Sequence, residues 1–587
     1  MSRRACYPRP DFRRETWMSL NGAWRFSFGD EEKDRMDQPP TLSQMPLTIE
    51  VPYVYQCELS GIGQTESHDV VWYGKTFRLP DCFDERTHLI FGAVDWHCDL
   101  FVNGRYAGSH DGGYTPFRTD ITPFLRADGE QELILRVEDT LRCDQLRGKQ
   151  SWEEEPSRCW YTPSTGIWQS VWLERVSDNP IQSIHITPNL PQSEIRCEIS
   201  LNKPPKKDGQ FIIDVQYQGH PVAALTYKTK QMNVDLSVPI QPEDYIDEIH
   251  YWTPEHPNLY DVTVSYASDG QTDQVFTYFG FRDVCTRDGK TLLNHRPIYQ
   301  RLILHQGYYD GGLLTADTDE RYRTDLQTIK DMGFNGVRMH QKIEDPLFYY
   351  WADKIGLLVW GELPSCYEFS ELAMRRSFES MREFIQRDYN HPSIVCWVPL
   401  NESWGVRNIE KNAAQQRYAV SLYHFIKAMD STRWVSTNDG WEQVTTDFCT
   451  LHDYSFDGKA LSSRWDDLDA LLQSAAQDRM IFASGYQYTG QPILLTEFGG
   501  VAFKTNQSKK DWGYCAIEKN EASYIRRLTS LFSYIKTNRR IQGYCYTQFT
   551  DVMQETNGLL SIRREPKIAI DAIRFGTDDS EPLSPVP

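Results

Sequence analysis

From residue 284 onward, short apolar runs alternate with helix-patterned stretches, and this rhythm constrains the fold more than any other feature of the chain. The runs are IYQRLILHQ (298–306), FNGVRMH (334–340), LLVWGELP (357–364), SIVCWVPLNE (393–402), RWVSTND (433–439), TDFCTLHDY (446–454), PILLTEFGG (492–500) and GYCYTQFTD (543–551). Between them, Tyr322, Leu326, Ile329 and Met332 recur at steps of 4, 3 and 3, and Leu347, Tyr350, Trp351 and Ile355 at steps of 3, 1 and 4. Both spacings line one face of a helix. Asp317 and Asp345 are the expected helix starts. Eight apolar strands with interleaved helices predict a (β/α)8 TIM barrel over 284–587, whose strands are buried on both faces.

Upstream the rhythm is all-β. Residues 1–178 carry VVWYGKTFRL (70–79), QELILRVED (131–139) and GIWQSVWLERV (166–176), with Asn103-Gly104 and Gly112-Gly113 as turn dipeptides. A jelly roll or sandwich is expected there. Residues 179–283 hold some seven short strand patterns, which fit an immunoglobulin-like β-sandwich. The fold class is therefore multidomain β and α/β.

Composition removes several function classes. The net charge of −20 opposes nucleic acid and anionic membranes as partners. No run approaches eighteen apolar residues, and the first residues, MSRRACYPRPDFRRETW, lack the apolar core of a secretory signal. Thirteen scattered cysteines without a CxxC pair read as free thiols, which points to a cytoplasmic location. HExxH, GxSxG, GxGxxG and P-loop patterns are missing, so no metal and no cofactor are expected.

Barrel active sites lie at the C-terminal strand ends. Those ends carry Arg338 and His340, Glu362, Asn401-Glu402, His452 and Tyr454, Glu497, and Gln548 with Asp551. Two carboxylates on separate strands, Glu402 and Glu497, would converge on the barrel axis. At about 5–5.5 Å apart such a pair suits a retaining glycosidase, one group attacking the anomeric carbon and the other serving as acid and then base. Two carboxylates that close do not both ionise freely, which leaves one protonated near neutrality. Beside Glu402, Asn401 offers an amide for a sugar hydroxyl and Trp404 an indole for a ring face. Glu362 would either bind a hydroxyl or pair with Arg338, and His452 would either line the pocket or serve the fold.

Several longer motifs carry a family resemblance: SLNGAWRFSF (19–28), FGAVDWHCDLFVNGRYAGSHDGGYTPF (91–117), STGIWQSVWLE (164–174), YWTPEHPNLY (251–260), MGFNGVRMHQKIEDPLFYYWADKIGLLVWGELP (332–364) and NHPSIVCWVPLNESWG (390–405). Along essentially its whole length the chain resembles glycoside hydrolase family 2, which includes β-galactosidases, β-glucuronidases and β-mannosidases. The resemblance implies that Glu402 is the acid/base catalyst and Glu497 the nucleophile. It implies that Asn401 binds the 2-hydroxyl, Tyr454 steadies the nucleophile and His340 contacts substrate.

Departures from the family pattern narrow the expectation. Cys366 and Glu368 stand where large β-galactosidases hold Mg²⁺ with Glu and His, so no catalytic Mg²⁺ is expected. Gly500 replaces a histidine near the sugar's C6, and Asn557-Gly558-Leu559 lies where β-glucuronidases carry Asn-x-Lys. TyrCysTyrThrGln (544–548) replaces a strand tryptophan, which makes Trp512 the candidate aromatic platform. The acidic loop from Trp152 to Tyr161 is a candidate to reach the barrel mouth. The resulting expectation is an exo-acting retaining glycosidase for small β-galactoside-type glycosides. α-L-Arabinopyranosidase, β-glucuronidase and a non-catalytic carbohydrate-binding protein are the alternatives. Edge strands in the two sandwiches leave room for a homo-oligomer.

Overall fold

A computed structural model describes the chain except residues 1–3, 30–38, 128, 154, 241–248, 474, 477–478, 504–510, 515–516 and 578–587. Two β-sandwiches precede a parallel barrel. In the first, a six-stranded sheet (Leu47–Val51, Gly22–Phe28, Val70–Arg78, Glu130–Glu138, His97–Val102, Arg105–Asp111 in spatial order) packs on a four-stranded one (Trp17–Ser19, Val171–Val176, Arg86–Phe91, Phe117–Asp120). Their inner faces share one core that includes Trp24, Tyr73, Leu89 and Leu173. Asn103 and Gly104 both take positive φ, 53° and 76°, so the turn dipeptide closes its hairpin as expected.

The second sandwich has three strands against four: Ile181–Asn189, Glu194–Leu201 and Asn233–Pro239 against His220–Thr229, Gly209–Tyr217, Tyr260–Ser268 and Gln271–Phe279. Alternating residues such as Ile195, Cys197 and Ile199 point inward along one strand and Phe211, Ile213 and Val215 along another.

The barrel strands are β1 (Gln300–His305), β2 (Gly336–Met339), β3 (Leu358–Glu362), β4 (Ile394–Val398), β5 (Trp434–Val435), β6 (Cys449–Asp453), β7 (Ile493–Gly499) and β8 (Ile541–Thr547). Their spatial order is 5-4-3-2-1-8-7-6, with every pairing parallel. Polar contacts carry the β5–β6 seam. Asp447 exchanges hydrogen bonds with Val435, and the Gly440 amide donates to Thr450 Oγ1 at 3.0 Å. No α-helix joins these two strands.

Of the helices, α1 (Asp319–Asp331) buries Tyr322, Leu326 and Ile329, with Met332 just beyond it, as the spacing predicts. Thr318, not Asp317, occupies its N-cap, and Asp317 pairs with Arg321 instead. Asp345 caps α2 (Pro346–Ile355) by accepting from the Leu347 amide. The expected α2 face is only half right. Leu347 is buried, but Tyr350, Trp351 and Ile355 are half-buried, while Phe348, Tyr349, Ala352 and Asp353 are fully covered. Residues of the second sandwich reach the α2 end: Trp252 Nε1 donates to the Asp353 carbonyl and Tyr278 to its carboxylate. A helix covered from two directions loses the simple stripe.

No helix among the described residues is long and apolar enough to cross a membrane. The twelve described cysteines are all free.

Candidate active site

The site is built around Arg338, which projects from β2 and is fully buried. Its Nη1 donates to Glu497 Oε1 at 2.8 Å and to the Thr496 carbonyl at 3.2 Å. Its Nη2 donates to Asn401 Oδ1 at 2.6 Å and lies 3.2 Å from Asp439 Oδ2; Nε lies 3.1 Å from Glu362 Oε2. One guanidinium thus ties together the ends of β3, β4, β7 and the loop after β5. A planar fork with five donors can do this where an ammonium cannot.

Glu402 follows β4 in a left-handed turn, with φ of 50° at Glu402 and 55° at Ser403. Non-glycine residues take that region at a cost, so the surroundings must hold them there. They do: the Glu402 amide donates to the Asp439 carbonyl, the Ser403 amide to Asn438 Oδ1, and Ser403 Oγ to Glu442. The loop after β5 therefore aims Glu402 at the barrel axis.

Glu497 lies in β7, beside His452 of β6 in the strand register. The buried imidazole links both glutamates. Nδ1 is 2.8 Å from Glu402 Oε1 and 3.4 Å from Glu497 Oε2, and Nε2 is 3.0 Å from Asp439 Oδ2. Burial alone would lower the His452 pKa; Glu497, Asp439 and Glu402 outweigh it and push it up to about 10. Burial would raise Asp439, but Arg338 and His452 hold it well below the usual carboxylate range. Tyr454 donates its hydroxyl to Glu497 Oε2 at 2.5 Å.

Glu362 is fully buried beneath Arg338, so of its two expected roles the ion pair is the one the geometry provides. Burial raises its pKa to about 8, partly offset by Arg338. His340 stands 3.1 Å from Glu362, and burial together with Arg338 and Lys149 keeps it neutral. Trp512 is half-buried and bound by its backbone to Gln554 and Thr556. Its ring packs 4.7 Å from Tyr514, and it is Tyr514 that stacks on Tyr454, 3.8 Å away and 3° from parallel. Gly500 is what admits that stack. A Cβ there would meet Tyr514 Cβ at 2.8 Å and Tyr454 Cδ1 at 3.0 Å.

The loop from domain one reaches the barrel mouth. Trp160 Nε1 donates to Tyr367 at 2.8 Å, and Tyr161 donates to Glu555 Oε2 at 2.6 Å. Trp160 meets Trp404 edge-on at 5.1 Å, and Trp404 lies 6.5 Å from Trp441, forming an aromatic rim beside Glu402. Lys149 is buried behind Trp160 and Tyr161, about equally far from both rings. Cys366 is buried against Gly405 and donates to the Glu368 carbonyl. Two sets of described side chains have metal-ligand geometry: Glu402 with His452 and Glu497, and Asp283 with Cys285 and His295. In the first, His452, Arg338 and Tyr454 already engage the carboxylates.

Arg338, Asp439, Tyr514, Lys149 and Glu555 are thus parts of the site that the strand-end reading did not assign. Arg338 was legible as a strand-end cation. Asp439 closes the run RWVSTND and was equally legible by position, whereas nothing in the local sequence around Tyr514, Lys149 and Glu555 marks them.

The matching family models agree with this layout. The sugar-binding domain of glycosyl hydrolases family 2 matches residues 17–175, the model described as glycosyl hydrolases family 2 matches 179–282, and the family's TIM barrel domain matches 284–571. A β-galactosidase of Thermoanaerobacter pseudethanolicus is 27% identical over 396 residues, covering 65% of this chain and 50% of that one. The chain therefore spans about half the length of that curated relative. Among solved structures, a β-galacturonidase from Eisenbergiella tayi superposes with a TM-score of 0.76 at 20% identity, covering 97% of this chain and 98% of that one. A β-glucuronidase from Ruminococcus gnavus gives 0.78 at 18% identity, with 96% and 98% covered. These likenesses share the fold, and with three consecutive domain models in register the chain belongs to glycoside hydrolase family 2.

Proposed function

We propose that the chain is a retaining, exo-acting β-glycosidase that removes a terminal sugar from small glycosides. One observation carries the reading: carboxylate oxygens of Glu402 and Glu497 lie within 4.8 Å of each other across the C-terminal rim. Such proximity suits double displacement, where the carboxyl groups stand about 5–5.5 Å apart, better than the water-separated pair of an inverting enzyme, about 6.5–9.5 Å apart. Glu497 attacks C1 while Glu402 gives its proton to the departing oxygen, so the C1–O bond breaks as the glycosyl ester forms. Glu402 then takes a proton from water, the hydroxide oxygen bonds to C1, and Glu497 leaves with its carboxylate restored. Arg338 and Tyr454 each hold one oxygen of Glu497 and fix which lone pair faces C1.

Arg338 occupies Asn401 Oδ1, which leaves the Asn401 amide hydrogens for a substrate hydroxyl. The rim of Trp160, Trp404 and Trp441 supplies apolar faces for the leaving group. The relatives are named for β-galactosides, β-glucuronides and β-galacturonides, which supports a β-linked pyranoside of galacto or gluco type. We favour the galacto configuration. Free cysteines support work in a reducing cytoplasm.

The test is a proton NMR time course on nitrophenyl β-glycosides. The first free sugar to appear is expected as the β-anomer; α-anomer appearing first would overturn the double displacement.

A further inference from the structure

We propose that Asp283, Cys285 and His295 bind one Zn²⁺ ion at the end of the barrel opposite the two glutamates, and that the ion fastens the hairpin leading into the barrel. This site is separate from the proposed glycosidase centre. The hairpin runs directly into the N-terminal end of β1, whereas Glu402 and Glu497 lie toward the C-terminal ends of β4 and β7.

The ligand set comes from one short stretch of chain. Val284–Arg287 pairs antiparallel with Lys290–Leu293, which pairs with Arg296–Pro297 across the two-residue turn Asn294-His295. Side chains alternate along a strand. Val284 is buried and shares a core with Leu302, Leu358 and Val395 of the barrel. Asp283 and Cys285, one residue to either side, are turned away from that core together and are half-buried. Asn294 and His295 both take positive φ, 51° and 62°, as a tight type I′ turn requires. Asn294 seats this turn beside Asp283. Its Oδ1 accepts from the Asp283 amide at 2.9 Å, its amide donates to the Asp283 carbonyl at 2.8 Å, and its Nδ2 donates to the Trp252 carbonyl at 3.0 Å. His295 is thereby delivered to Asp283 and Cys285.

One carboxylate oxygen, the sulfur and one imidazole nitrogen of these residues lie within 4.8 Å of one another, and His295 Nδ1 is 3.7 Å from Asp283 Oδ2. A tetrahedral Zn²⁺ with bonds of about 2.0–2.3 Å spaces its ligand atoms by about 3.3–3.8 Å. The imidazole and carboxylate already have that spacing, and the set closes on an ion by side-chain rotation. Carboxylate and imidazole alone would make only an ion pair. The thiol adds a soft donor, and sulfur with nitrogen selects Zn²⁺ over Mg²⁺ and Ca²⁺, which take oxygen ligands. The thiol proton passes to solvent as the sulfur binds. Three protein ligands leave one position for water. Asp283 and His295 border an open groove of about 550 Å³, whose other wall is the second sandwich with Asn189, Glu194, Asp235 and Ser237. Arg196 on that wall has its charge balanced by Asp235 and Glu198. A bound ion would thus tie the segment leaving the second sandwich to the turn that enters β1.

The experiment titrates the full chain, first stripped of metal by a chelator and dialysed, with Co²⁺ as a spectroscopic probe of the Zn²⁺ site. One equivalent is expected to give a thiolate-to-cobalt charge-transfer band in the near ultraviolet, which Zn²⁺ displaces. Cys285→Ser should abolish the band. His295→Asn keeps a residue that tolerates the left-handed turn. It should weaken Co²⁺ binding by at least about 10-fold, the smallest loss expected when a group supporting a metal is removed. Glu497→Gln, which alters the other set with ligand spacing, should leave the band unchanged. The assignment is overturned if no thiolate band forms, if the band survives Cys285→Ser, or if Glu497→Gln removes it and His295→Asn does not. Zn²⁺ should also raise the Tm of the wild type, and a Tm that does not move would overturn the fastening role. Should Cys285→Ser fail to fold, iodoacetamide labelling of the wild type decides. Zn²⁺ should slow alkylation of Cys285 several-fold while leaving the exposed Cys82 unaffected, as peptide mass spectrometry would show, and equal Cys285 rates would overturn the site. None of these readouts uses glycoside cleavage, so failure of this assignment and failure of the proposed function are distinguishable.

Discussion

His452 lies so close to Gly440 that a Cβ on the glycine would come 2.4 Å from the imidazole ring. The glycine also holds a positive φ of 88°, so no side chain fits there without strain. Gly440→Ala is therefore expected to push the ring off Glu402. A displacement of about 1 Å can cost on the order of 100-fold in rate. Steady-state kinetics should show a fall in kcat larger than any rise in KM. Unchanged kcat would mean that His452 does not orient the acid.

Stability should respond to pH through the same imidazole. His452 is raised from 6.5 to about 10, so the native state binds its proton more tightly than the unfolded chain. Its contribution is complete below pH 6.5 and is lost as pH rises through the window to about 10. Glu362, raised from 4.5 to about 8, acts in the same sense over its own window. Thermal melts across the alkaline range should show Tm falling less steeply in His452→Gln than in the wild type, and parallel slopes would refute the linkage.

Replacing Glu497 by Gln removes the group proposed to form the glycosyl ester. Activity should drop by several orders of magnitude, as loss of a covalent nucleophile requires. Glu402→Ala should keep its ability to form the ester from an activated nitrophenyl glycoside. Azide should then rescue turnover and give a glycosyl azide of retained configuration, which mass spectrometry and NMR identify. Near-normal rates in Glu497→Gln would end the assignment of roles.

The Tyr454 hydroxyl touches Glu497, and Tyr514 supports Tyr454 from behind. A hydrogen bond to a charged group contributes about 1.5–3 kcal/mol. Tyr454→Phe should thus lower kcat/KM by roughly 10- to 150-fold. Tyr514→Phe keeps the stack and should change little, whereas Tyr514→Ala should approach the Tyr454→Phe loss. Comparing these two substitutions separates ring support from hydroxyl chemistry.

The barrel was legible because its strands are buried on both faces and read as uninterrupted apolar runs, with the chemistry gathered where each run stops. His452 and Tyr454 flank the last residue of β6, Glu497 lies near the end of β7, and Glu402 lies in the turn that follows β4. Asp439 closes the run RWVSTND, but β5 itself is only two residues long, so the pairing of Asp439 with Arg338 and His452 could not be read from the order of residues. Trp512 drew attention by residue type, while its neighbour Tyr514 has the direct stack on Tyr454; one-dimensional order does not say which of two aromatics two positions apart faces a third. The face of α2 was misjudged because contacts from the second sandwich cannot be read from the helix's own spacing. Lys149 was invisible for a related reason: its importance lies in what it is placed beside, more than 250 positions further along the chain.

The hooked segment carrying Gly148, Lys149, Trp160 and Tyr161 has a consequence for how such a protein can diversify. The proposed cleavage chemistry resides in the barrel, whereas part of the cavity wall is on loan from the first sandwich. On the proposed function, exchange of that one loop between homologues would retune which sugars are admitted while leaving the barrel carboxylates untouched. An isolated barrel, shorn of its amino-terminal companions, would be left with an unfinished mouth.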